Sequence, residues 1–71
     1  MTKAQAIKRA RHFGNECGYW DRHDESNQGA AAHAVWDAKE SFFDSLPPSH
    51  EQDARTAYRE AWAKQIEKGD L

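Results

Sequence analysis

His12 to Gly29 reads HFGNECGYWDRHDESNQG, a stretch that gathers two histidines, the only cysteine and three glycines among aromatics and acids. It is either a chemical site or a helix that packs and then stops, and no other segment of the chain competes with it for chemistry. Its first half continues a pattern that begins upstream. At about 100° per residue, Ala6, Ile7, Ala10, Phe13, Gly14, Cys17 and Trp20 share one broad stripe, the pattern of a core-facing helix. Past Trp20 the pattern fails. Asp21 and Asp24 would fall on the apolar stripe, and DRHDESNQG is rich in turn-forming residues. The spacing therefore predicts a helix over 3–22, capped by Thr2, and a loop by about Asp24.

Gly14 and Gly18 fit this packing reading. Each costs a helix about 1 kcal/mol relative to alanine. Four residues apart, they leave a bare strip of backbone against which a bulky side chain such as Trp36 or Trp62 is expected to lie.

Downstream, AAAHAVWDAKESFFDSL predicts a second helix over 30–46, with Ala31, Val35, Ala38, Phe42 and Leu46 on one face and Trp36 and Phe43 flanking it. Pro47 and Pro48 end it, since proline lacks the amide donor and pushes its predecessor out of the helical region. A third helix is expected over 50–68. Ser49 and Gln52 form a capping box at its start, and Gly69 follows Lys68 as a stop. Its apolar face is Ala54, Ala57, Tyr58, Ala61, Trp62 and Ile66, with Glu51–Arg55 and Glu60–Lys64 as supporting pairs. No run of alternating β-branched residues suggests a strand, and there is no internal repeat. The expected fold is a single all-α domain over 1–71, a small three-helix bundle with one tryptophan in each helix.

Composition narrows the class further. At 71 residues, 38% of them hydrophobic and 31% charged, the chain can bury only a modest core, so a partner or self-association through surplus aromatics would matter. The mean hydropathy of −1.09 and the lack of an apolar run or signal-type N-terminus predict a cytoplasmic protein. A lone Cys17 cannot make an internal disulfide, which suits a reducing compartment.

The metal and nucleophile readings of the opening stretch are weak. His12 and His23 would lie roughly 16 Å apart along a helix, too far for one ion. A site would need the loop to bring Cys17 and His23 to His33, and no ligand spacing of the CxxC or HExxH kind supports that. Cys17 with His12 or His23 lacks an orienting group and an oxyanion donor. The expectation is a non-enzyme without metal or cofactor.

Two charged faces remain. His33, Asp37, Glu40 and Asp44 recur at helical spacings of three and four and form an acidic ridge able to meet a basic partner surface, with Tyr19 and Arg22 as a secondary patch. Lys8, Arg11 and Arg22, aligned with Asn15 and Tyr19, form a basic row that supports the alternative of a small DNA- or RNA-binding regulator. Formal net charge is −2, so no global basic balance draws the chain to nucleic acid.

In size, charge segregation and lack of catalytic motifs, the chain resembles the small inhibitor proteins of bacteriophages and mobile elements, of which the anti-CRISPR proteins are one class. The resemblance covers the whole chain loosely and implies a protein-binding inhibitor or adaptor. Such a protein would act in the host bacterial cytoplasm, blocking a nucleic-acid-binding defence complex stoichiometrically. It carries over no functional residue.

Overall fold

Thr2 and Gln5 start the first helix by exchanging hydrogen bonds. The Gln5 amide donates to Thr2 Oγ1 at 3.2 Å, and the Thr2 amide donates to Gln5 Oε1 at 2.9 Å. Two amides that a helix start leaves without partners are thereby satisfied reciprocally. In the computed structural model, which describes residues 1–22 and 29–69, helix α1 runs Lys3–Arg22, α2 Ala30–Asp44 and α3 Pro48–Gly69. The fold is all-α, with no strand among the described residues, as the periodicity predicts. The expected loop from Asp24 and the position of His23 lie outside the described residues, as do the side chains of Arg22 and Ala31.

Along α1, Ala6, Ala10, Phe13 and Cys17 are buried as their spacing requires, together with Gly14 and Gly18. Trp20, expected on the same stripe, is only half-buried. The same holds for Trp36 and Trp62, so the interior is built from phenylalanine and alanine rather than from a tryptophan cluster.

The buried face of α2 differs from the expected one. Ala32, Phe42, Phe43 and Leu46 are buried, Val35 and Trp36 are half-buried, and Ala38 is exposed. Phe43, expected at the margin, is 2% exposed. A phenylalanine ring offers far more burial area than an alanine methyl, so the helix turns to bring Phe43 inward at the expense of Ala38. The helix ends at Asp44, two residues short of the expected end at Leu46. Ser45 closes it: its amide bonds back to Ser41 and Phe42, and its hydroxyl donates to the Phe42 carbonyl at 2.8 Å. Leu46 cannot continue the helix comfortably because Pro47 follows it.

The third helix begins at Pro48, two residues before the expected start. The Pro47 carbonyl accepts from the amides of His50 at 2.9 Å and Glu51 at 3.1 Å. Pro48 takes the first helical position, where its fixed φ suits the helix and its missing amide is no loss. The expected Ser49–Gln52 capping box is absent, and Ser49 Oγ lies 3.4 Å from His50 Nδ1 instead. Helix α3 extends through Gly69, one residue past the expected end. Of the two predicted pairs, Arg55 Nε bonds Glu51 Oε2 at 2.8 Å, whereas Glu60 and Lys64 form no ion pair.

Helices α1 and α3 form a close seam. A Cβ added at Gly14 would strike the Tyr58 carbonyl oxygen and come within 2.8 Å of Ala61 Cβ. One added at Gly18 would come within 2.6 Å of Gln65 Cβ and 2.9 Å of the Trp62 carbonyl. The glycines thus admit the backbone of α3 rather than a bulky ring, which corrects the expected partners Trp36 and Trp62 in all but the Trp62 main chain. Ala54, Ala57 and Ala61 supply the matching small surface on α3. Lys3 pairs with Asp53 at 3.0 Å toward one end of the seam, and Trp62 Nε1 donates to Asp21 Oδ2 at 2.7 Å toward the other.

Aromatic side chains attach α2 to this pair. Phe42 meets Phe13 of α1 with ring centroids 5.3 Å apart, and Phe43 meets Tyr58 of α3 edge-on at 5.6 Å. Two cations cross the same junction in opposite directions. Arg55 of α3 sits 4.6 Å over the Phe43 ring, and Lys39 of α2 sits 5.6 Å from the Tyr58 centroid. The Cα envelope of 37 × 24 × 14 Å is thin, and the exposed area of 4871 Å² exceeds the roughly 4,500 Å² usual for this mass. Among the described residues no helix is long and apolar enough to cross a membrane.

Candidate protein-binding surfaces

The acidic ridge is displayed by the burial of the opposite side of α2. Once Phe42, Phe43 and Leu46 turn inward, residues at 33, 37, 40 and 44 point outward, and His33, Asp37, Glu40 and Asp44 are all exposed. The Lys39–Tyr58 and Arg55–Phe43 contacts hold the C-terminal half of the ridge's helix against α3. Sequence periodicity does not reveal those two cations, because their partners lie on a different helix.

Within the ridge the carboxylates differ. Lys39 Nζ bonds Glu40 Oε1 at 2.7 Å, and that hydrogen bond and charge hold the Glu40 carboxyl below its ordinary range. Asp37 and Asp44 make no ion pair with any described residue. His33 stands edge-on to Trp36 with centroids 5.1 Å apart, which puts a half-buried indole at the ridge's N-terminal end.

The basic row lies on the outer side of α1. Lys8, Arg11, Asn15 and Tyr19 are exposed, and neither Lys8 nor Arg11 has an acidic partner among the described residues. The side chain of Arg22 falls outside the description, so the row is followed only as far as Tyr19. Tyr19 is 44% exposed and stands edge-on to Trp20. Arg9 lies 5.9 Å from the Phe13 centroid.

The Cys17–His12 pair weighed from sequence is not assembled. Cys17 is fully buried in the α1–α3 seam, and burial raises its thiol above the ordinary value of 9.0. His12 is exposed and lies 3.6 Å from Glu16, turned away from that thiol. A protonated thiol without a base is a poor nucleophile. Cys17 is buried in the seam and His33 is exposed on the outer side of α2, so those two are not brought together; His23 lies outside the described residues. Among the described residues no three histidines, cysteines or acids are grouped to hold a metal ion. No protein-family model, curated protein or solved structure matches the chain.

Proposed function

We propose that this protein is a non-enzymatic inhibitor or adaptor that presents the acidic ridge of α2 to a basic protein surface. One observation carries the reading: Asp37 and Asp44 are exposed on a helix anchored by rings on its other side, and neither has a counter-ion among the described residues. Carboxylates held this way lose little freedom when they meet a lysine or arginine cluster. The generic likeness to phage inhibitors suggests the partner class, a bacterial defence complex whose nucleic-acid-binding surface is rich in such clusters. Occupying that surface would exclude nucleic acid without any catalytic step.

The test begins with carbodiimide cross-linking in a bacterial lysate, which joins carboxylates to amines in direct contact. Cross-links from Asp37 and Asp44 to partner lysines are expected, and cross-links confined to other faces would overturn the assignment. With the captured complex purified, Asp37→Lys with Asp44→Lys should weaken capture by about 10- to 100-fold while helicity is unchanged. Glu40 is left in place because it holds Lys39. Added at about one equivalent, the native protein should displace nucleic acid from the complex; undiminished nucleic-acid binding would remove inhibition from the reading.

A further inference from the structure

The outer side of α1 repeats the spacing of the ridge with the opposite charge. Lys8, Arg11 and Asn15 stand at steps of three and four, and Asp37, Glu40 and Asp44 do the same. All six are exposed. Two helices laid side by side in parallel would bring Lys8 to Asp37, Arg11 to Glu40 and the Asn15 amide to Asp44.

Surface shape agrees with charge. Beside the ridge, Ala34, Ala38 and Ser41 are exposed and small, so a second helix can approach α2 closely. On α1, a groove of about 540 Å³ lies among Met1, Gln5, Lys8, Arg9 and His12. Among the described residues, the two large apolar side chains that are most exposed, Met1 at 66% and Tyr19 at 44%, flank the basic row. Burying them would add an apolar contribution that charge pairs alone do not supply.

We infer that the occupant of the α1 outer side is α2 of a second copy of this chain. Reciprocated contacts would close a two-fold pair. Nucleic acid is the less suited occupant, because the chain carries a net charge of −2 and each copy also brings the acidic ridge. The inference uses the same ridge as the proposed function but a different partner, so self-association and partner capture would compete for it.

Sedimentation equilibrium of the full chain tests this. At about 20 mM salt the mass should rise above the 8.1 kDa monomer with concentration, and the association constant should fall at least about 10-fold by 200 mM as screening shortens. Lys8→Glu should shift the chain to monomer, as should Asp37→Lys. Mixed, the two variants should associate again, since positions 8 and 37 then carry opposite charges once more; circular dichroism confirms that both remain helical.

A native chain that stays monomeric at low salt, or a mixture that fails to associate, would overturn the inference. So would a low-salt monomer that instead binds a DNA or RNA oligonucleotide through Lys8 and Arg11. The α1 variant also separates this inference from the proposed function. It should lose self-association and keep cross-linking from Asp37 and Asp44 to the basic partner, whereas failure of the proposed function alone would leave self-association intact.

Discussion

The α1–α3 seam and the α2 junction hold the same small molecule together by opposite means. At the seam, glycine and alanine remove side chains so that two helices meet at backbone distance. At the junction, rings of Phe42, Phe43 and Phe13 with Tyr58 fill the space, and Lys39 and Arg55 lie over aromatic faces from either side. A seam with nothing to trim tolerates no added atom, whereas a ring junction tolerates rearrangement and loses energy mainly when a ring is removed. Substitution size should therefore have opposite consequences in the two places.

The largest effect should come from adding volume at the seam. Gly14→Val should drive α1 and α3 apart, because its Cβ alone would strike the Tyr58 main chain. Overpacking usually costs about 1–3 kcal/mol, and a clash with backbone belongs at or beyond the upper end. For a 71-residue chain, total stability is on the order of 4–10 kcal/mol, so much of the fold's margin is lost. Gly29→Val is the control, since nothing lies within 4 Å of a Cβ there. Denaturant titration of both variants checks it. Equal stabilities would show that the seam relaxes and would end the contrast.

Removing volume at the junction is the complementary break. Phe43→Ala deletes a ring that meets Phe42, Tyr58 and Arg55, and should cost about 3 kcal/mol. The loss should fall first on α2. Amide exchange should quicken from Val35 to Asp44 while the core of α1 and α3 stays comparatively protected. Uniform acceleration across all three helices would show that α2 is no separable attachment.

How much of this was legible in the sequence differs between the same two regions. The stripe of α1 was readable because Ala6, Ala10, Phe13 and Cys17 recur at helical period and the acids after Trp20 interrupt it. The closeness of Gly14 and Gly18 was readable too, but not its partner, because a glycine signals space without saying what enters it. In α2 the alanine-rich start gives several faces similar hydropathy, so Ala38 and Phe43 exchanged places between expectation and structure. At α3, Ser49 and Gln52 spell a capping box as well as Thr2 and Gln5 do. The difference is Pro48, whose fixed φ starts the helix before Ser49 can cap it. The ridge followed from spacing alone, while the Lys39 and Arg55 contacts that secure its helix did not, since they depend on how α2 lies against α3.

The gentlest probe of the comparison is alkaline pH, which reaches the seam through a pair of ionisable groups. Burial raises both Cys17 of α1 and Tyr58 of α3 above their ordinary values of 9.0 and 10.0. A group raised on folding stabilises the fold fully below its unfolded pKa, and that contribution is lost as pH rises toward the folded one. Thermal stability should therefore be level from neutrality to about pH 8.5 and then decline, first as Cys17 ionises in the unfolded chain and then as Tyr58 does. Cys17→Ala should remove the earlier part of the decline and leave the tyrosine part. A decline unchanged by Cys17→Ala would place the alkaline sensitivity outside the Cys17 site.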